Sequence, residues 1–166
     1  MNYLNTDHDE FTLDPLKKQE SKKIVLEIAL GASKTFKIQF DKEELEKDDN
    51  RNIFYQAFPE LMEQENDSSG YSVCEGKLDE GKKQFVLKAF SSDAQIKTDL
   101  FFNYIKSLRL LAEDGSTILR SGDYGTFLLF HFMEDEKQNL HKIFSNKGIP
   151  FDAVEEVDIE VNKLYP

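Results

Sequence analysis

Apolar and polar positions alternate with a period of two in several parts of the chain, as in β-strands that turn one face to a core. Short stretches rich in glycine, serine or aspartate separate these segments in pairs, and such stretches favour tight turns. The pattern therefore predicts three β-hairpins. Their strand pairs are 23–30 with 35–40, 71–78 with 84–90, and 117–120 with 124–132.

Elsewhere the apolar positions recur with a period of about 3.6 residues, which predicts helices on one side of the sheet. The first helix contains Pro59, so we expect a break near Phe58, because proline lacks a backbone donor and crowds the preceding turn. The predicted helices cover 53–62, 92–112 and 134–148, and a last alternating strand covers 157–161.

The predicted element order is ββα-ββα-ββα-β, which indicates an α+β fold with helices packed on a mainly antiparallel sheet. From residue 84 onward the order also fits βαββαβ, as in a ferredoxin-like half-sandwich. Residues 1–22 are charge-mixed and show no sustained period, so we predict a flexible polar arm. Residues 23–166 are predicted to form a single α+β domain.

The most apolar run is TFLLFHF at 126–132, and it contains a histidine. On alternation His131 shares a face with Phe127 and Leu129, so both faces are apolar and the strand is expected to be central. We expect His131 to be a hydrogen-bonded residue at the edge of the core, with a ligand-binding or acid–base role as the alternative. The N-terminal unit or a second copy of the chain would cover the second face.

Composition restricts the compartment and the partners. The chain of 166 residues has a formal charge of −11, so direct binding to nucleic acid is not expected, because it requires clustered Lys and Arg. Cys74 is the only cysteine, which excludes an intrachain disulfide and a thiolate zinc cluster. Neither a secretion signal nor an apolar run of ~18 residues occurs, so we expect a cytoplasmic protein that does not enter membranes.

The residue spacings of common catalytic and metal sites are not found. The sequence has no His-x-x-x-His pair, EF-hand loop, dinucleotide-binding glycine motif or serine-hydrolase elbow, so no metal, cofactor or enzymatic activity is expected. GASKT at 31–35 ends like a phosphate loop but lacks its second glycine, so we interpret it as a turn. Cys74 is expected to be buried and inert. An enzyme that uses His131 and a carboxylate as general base is the catalytic alternative.

Carboxylates cluster at 41–49, 60–67 and 152–160, and such charge steers association with an oppositely charged partner. We therefore expect a small acidic interaction protein that binds and neutralises a basic protein, as an inhibitor, antitoxin or immunity protein does. A tyrosine in the SGDYG loop is a candidate aromatic anchor. The predicted partner-binding residues are Glu43, Glu44, Asp48, Asp49, Tyr124, Glu156, Asp158 and Glu160.

The alternative is a small-molecule-binding regulatory module. Its pocket would lie between the Phe-rich sheet and the helix predicted at 92–112. Phe102 and Leu110 lie off the core face of that helix, and together with the doubly apolar strand they would suit a homodimer. Salt-sensitive binding to a basic protein would favour the first function, and salt-resistant stabilisation by a ligand would favour the second.

Overall fold

The computed structural model describes residues 2–5, 15–89, 104–122, 127–149, 151 and 155–157. These residues form an α+β fold in which helices pack on an antiparallel sheet. The strands are β1 Asn2–Asn5, β2 Thr35–Phe40, β3 Ser72–Lys77, β4 Ile105–Leu111, β5 Thr117–Gly122, β6 Phe127–Phe132 and β7 Glu155–Val157. The helices are α1 Pro15–Ala32, α2 Lys42–Glu46, α3 Arg51–Ala57, α4 Glu80–Ala89 and α5 Lys137–Asn146, with 3₁₀ helices at Pro59–Glu63 and Glu134–Glu136.

The main body of the sheet has five strands in the order β3-β2-β4-β5-β6, and β1 and β7 extend it beside β6. Every neighbouring pair is antiparallel. Strand β6 lies between β5 and β1, which confirms the central position predicted from its two apolar faces.

One face of the sheet carries the hydrophobic core. Phe36 and Ile38 of β2 are fully buried. Leu110 and Leu108 of β4 lie opposite them and are fully buried as well. This face continues through Leu119 of β5, and the buried residues of the helices belong to the same core cluster. On β2, β4 and β5 the opposite face carries mostly polar residues, because successive side chains of a strand point to opposite sides. On β6 the opposite face is apolar, with Leu129 buried opposite Arg120.

The strand predicted at 23–30 is wrong, because these residues lie in α1. This helix buries most of its circumference, so its apolar positions do not form a narrow stripe and their alternation resembles a strand. The helix also includes 15–22, where Ser21 is buried, and the flexible arm of 1–22 stays a prediction. The single domain of 23–166 stays a prediction. The buried α1 residues are Ile24, Val25, Leu26, Ala29 and Leu30.

The second strand of the 71–78 and 84–90 hairpin is also wrong, since 84–89 belong to α4, while β3 confirms the first strand. Asp79, predicted to lie in a turn, instead accepts a hydrogen bond from the backbone N–H of Lys82 at 2.9 Å. Such a bond satisfies a donor in the first turn of a helix. Lys82 and Val86 are buried at helical spacing.

The helix predicted at 92–112 is wrong from residue 105 onward, where the chain forms β4, and 92–103 lie outside the described residues. The predicted order ββα-ββα-ββα-β and the ferredoxin-like alternative are therefore wrong. Leu110, assigned to a dimer surface, is fully buried in the core, and Phe102 lies outside the described residues. The helical wall of the alternative small-molecule pocket is likewise a strand from 105 to 111.

Several predictions of local structure are confirmed. Phe58 separates α3 from the 3₁₀ helix that begins at Pro59. Strands β5 and β6 pair as the third hairpin, although residues 123–126 between them lie outside the described residues. Helix α5 follows with its core residues buried, and Gly148 takes a φ of 66° just after it. The prediction of a last strand at 157–161 is tested only at Val157, which ends the strand Glu155–Val157, because 158–161 lie outside the described residues.

Candidate partner-binding surface

Helix α2 turns two of the predicted carboxylates towards solvent. Asp41 starts the helix, and its Oδ1 accepts a hydrogen bond from the backbone N–H of Glu44 at 3.1 Å. Lys42 and Leu45 are buried, whereas Glu43 and Glu44 are exposed. Acidic side chains in the first turn interact favourably with the helix dipole, so the exposed pair fits the local structure.

Asn66 joins this helix to a second acidic segment. Its Oδ1 accepts hydrogen bonds from the backbone N–H of Lys42 at 3.0 Å and from the Ser72 hydroxyl at 2.9 Å, and its Nδ2 donates to Asp41 Oδ1 at 3.3 Å. The loop before β3 therefore lies against the start of α2. We call the exposed carboxylates on these two segments the acidic surface: Glu43, Glu44, Glu46, Asp49, Glu63, Glu65 and Asp67.

Lys42 makes a second connection between the same two segments. Its Nζ donates to the carbonyl oxygens of Met62 at 2.7 Å and Leu61 at 3.2 Å, at the end of the 3₁₀ helix. The ammonium also lies 5.7 Å from the centroid of the Tyr55 ring. A cation stabilises the carbonyl end of a helix, so a buried lysine helps to hold the acidic surface together.

The acidic surface holds most of the net charge of the chain. Residues 41–67 include ten Asp and Glu against three Lys and Arg, so this segment carries −7 of the formal charge of −11. Lys42 is buried, and Lys47 and Arg51 each lie within ion-pair distance of a glutamate in α2. The solvent side of this segment is therefore strongly negative.

Asp48 supports the fold rather than the exposed surface. Its carboxylate accepts hydrogen bonds from the Tyr104 hydroxyl, just before β4, and from the backbone N–H of Asn50. The bond from Tyr104 is the main cause that lowers the pKa of Asp48, and it raises the pKa of Tyr104 to about 12. Asp49 beside it is exposed. Three of the four acidic residues predicted in this region thus face solvent.

The other predicted partner-binding residues do not join the acidic surface. Glu156 belongs to β7 at one edge of the sheet, and four strands separate β7 from β2, which leads into α2. At about 4.8 Å per strand, the backbone of Glu156 lies about 24 Å from β2 across the sheet. The predicted residues therefore do not form one surface. Tyr124, Asp158 and Glu160 lie outside the described residues.

A buried charged group beside β3 was not predicted. Lys82 Nζ lies 3.1 Å from Glu60 Oε1 and 3.0 Å from Asp79 Oδ2, and the lysine side chain is only 7% exposed. Burial lowers the pKa of Lys82, but its bonds to Asp79 and Glu60 outweigh burial and raise that pKa overall. The three-residue spacing of Asp79 and Lys82 was the available signal, whereas no pattern pointed to Glu60.

The two residues considered for acid–base or nucleophilic chemistry are poorly suited to it. Cys74 is buried, as predicted, and burial raises the pKa of its thiol to about 12, so it stays protonated at neutral pH. For His131, burial and then the charge of Arg120 lower the pKa to about 4. An effective general base has a pKa near the pH at which it works, and the pKa of His131 lies well below neutral pH.

Comparison with known proteins finds no matching family model, no matching curated protein and no matching solved structure. The function is therefore inferred from the geometry of the chain itself. Across the described ranges, His, Cys, Asp and Glu side chains do not gather in groups of three or more that could hold a metal ion. Helices in the same ranges fall short of the length and apolar character needed to cross a membrane.

Proposed function

We propose that this protein binds a basic protein through the acidic surface and neutralises its activity, as an inhibitor, antitoxin or immunity-type protein. The observation that supports the proposal most is the joining of two acidic segments by Asn66 and Lys42, which are 24 residues apart in the chain. In this proposal the protein acts in the cytoplasm, needs no cofactor and is not an enzyme.

The arrangement of charge supports binding more than folding. Exposed ion pairs contribute about 0–1 kcal/mol each, and neighbouring exposed carboxylates repel one another, so the acidic surface adds little to stability. Packing of Lys42 and hydrogen bonds of Asn66 nevertheless hold the two acidic segments side by side. A partner with clustered Lys and Arg would relieve the repulsion, and complementary potentials would speed its association.

Two variants with the same net charge test the proposal. Glu43→Lys with Glu65→Lys reverses one exposed carboxylate in each joined segment, and Glu27→Lys with Glu113→Lys reverses two exposed carboxylates elsewhere. Each exchange adds two charges, so both double variants change the formal charge from −11 to −7. Each protein is used to capture partners from a lysate of the native organism at low and high salt, and bound proteins are identified by mass.

We expect the wild type and the Glu27 and Glu113 variant to capture the same basic protein at low salt, with loss at high salt. The Glu43 and Glu65 variant should capture at least tenfold less of this basic protein. The two double variants have the same net charge, so this difference would come from the local potential at the acidic surface. The purified partner should then be inhibited by the wild type and escape that variant. Equal capture by the two double variants would show that net charge, not the acidic surface, attracts the partner.

A further inference from the structure

Three cationic side chains lie next to one another on the sheet face opposite the core. Lys37 of β2 pairs with Arg109 of β4, and Arg109 pairs with Arg120 of β5. Residues directly opposite each other on antiparallel strands have Cβ atoms about 4.5–5.5 Å apart. The three residues, here called the basic row, therefore span about 10 Å across the strands.

The position of the basic row follows from the alternation along each strand. Phe36 and Ile38 on either side of Lys37 are buried, as are Leu108 and Leu110 on either side of Arg109. The row therefore projects from the opposite face. The Lys37 side chain is 47% exposed, and the two arginines are half-buried, so solvent reaches the basic row.

The basic row is a local exception to the usual charge pattern of a sheet. Like charges directly opposite on neighbouring strands are destabilising, and two such pairs occur side by side here. Glu75 balances one end, with its Oε2 3.7 Å from Lys37 Nζ. Among the described residues, Arg109 has no carboxylate at ion-pair distance. A local exception of this kind is typical of a functional site, because folding alone does not favour it.

The neighbouring histidine lies in the electric field of the basic row. The ring of His131 belongs to β6, on the far side of Arg120 from Arg109. After burial, the charge of Arg120 is what lowers the pKa of His131. The local potential is thus positive although the whole chain carries −11.

We propose that Arg109 and Arg120, with Lys37 beside them, bind the dianionic phosphate group of a small phosphorylated ligand. Two adjacent guanidinium groups offer paired N–H donors to a tetrahedral oxyanion, which a lone ammonium does not. A row of about 10 Å matches one such group rather than a polyanion, and an acidic chain repels nucleic acid outside the row. The site lies apart from the acidic surface and does not depend on the proposed function.

Inorganic phosphate is a direct probe of this site. Binding is measured by titration calorimetry, and thermal unfolding is followed with phosphate or with chloride at the same ionic strength. Arg109→Gln removes one guanidinium group, whereas Arg109→Lys keeps the positive charge but removes the paired N–H donors. Lys88→Gln is a matched control, because it makes the same charge change as Arg109→Gln at an exposed site on α4. Circular dichroism checks that each variant is folded.

We expect phosphate to bind and stabilise the wild type and the Lys88→Gln variant alike. Arg109→Gln should weaken phosphate binding at least tenfold, and Arg109→Lys should weaken it by a smaller factor. In chloride at low salt, Arg109→Gln should be no less stable than the wild type, because like-charge repulsion is relieved. Absence of phosphate binding in the wild type, or full binding by Arg109→Gln, would overturn the proposal.

Discussion

Replacement of Lys82 by methionine would separate electrostatics from packing in the buried charged group. The ammonium lies 3.1 Å from Glu60 Oε1 and 3.0 Å from Asp79 Oδ2. Glu60 would be affected most, since its side chain is 32% exposed and its Oε2 is buried without a hydrogen-bond partner among the described residues. Asp79 is 63% exposed, so water can replace much of its lost contact.

The magnitude follows from these exposures. Removal of one partner from a buried ion pair costs about 3–5 kcal/mol, whereas an exposed pair contributes about 0–1 kcal/mol. The pair of Lys82 and Glu60 lies between these limits, so we expect Lys82→Met to lower the free energy of unfolding by about 2 kcal/mol. Methionine keeps apolar contact with the nearby Phe36 and Phe58 rings. For a chain of 166 residues, the melting temperature should fall by about 4–8 °C.

Urea unfolding at pH 7, followed by circular dichroism, measures this loss. Lys83→Met is the control, because the Lys83 side chain is also mostly buried, at 15% exposed, but its partner at 3.5 Å is an 82%-exposed glutamate. Water can solvate that glutamate, so the loss of this pair should cost under about 0.5 kcal/mol. Adding Glu60→Leu to Lys82→Met should recover at least half of the loss, because the unpaired carboxylate is then gone. If the double variant recovers nothing, the cost lies in packing and our electrostatic reasoning is wrong.

Two further predictions concern pH. The pKa of His131 is about 4 in the folded chain against an ordinary 6.5. Between these two pH values only the unfolded chain binds this proton, so the protein loses stability as the pH is lowered from 6.5 to 4. Allowing for the partial exposure of the ring, His131→Phe should reduce the loss between pH 7 and 4.5 by about 1 kcal/mol in urea unfolding, and an unchanged slope would contradict this. Tyr104→Phe removes the bond that holds the pKa of Asp48 low. It should cost about 0.5–1 kcal/mol at pH 7, with a difference from the wild type that shrinks as Asp48 is protonated towards pH 3, whereas a constant difference would refute the role of that carboxylate.

The sequence pattern was sufficient to predict a structural element where it fitted only one type of secondary structure. The break at Phe58 and the hairpin of β5 and β6 follow from proline chemistry and from alternation, and both are confirmed. Strand β4 could not be predicted in this way, because Ile105, Leu108 and Leu111 also repeat at helical spacing. Pairing with β2 and β5 selects the strand, and such tertiary contacts override local preference.

The candidate sites depended even more on long-range contacts. Composition located the exposed acidic side chains of α2, but the sequence did not show that Asn66 brings a second acidic segment beside them. The basic row exists only because Lys37, Arg109 and Arg120 share one register across three strands. A shift of one residue in either pairing would turn part of the row into the core, and no periodic pattern along the chain specifies that register.

Net charge alone is a poor guide to where this protein can bind anions. At physiological ionic strength charges are screened beyond about 8 Å. Lys37 precedes Asp41, where the acidic segment 41–67 begins, by four residues, and four residues of extended chain span about 13 Å. Apart from Glu75, which pairs with Lys37, the basic row is therefore only weakly affected by the carboxylates of the acidic surface, which lie beyond this screening distance. The proposed negative surface for a basic protein, on α2 and the loop before β3, and the proposed positive site for a small phosphate ligand, on the sheet, can accordingly lie in one small protein without neutralising each other.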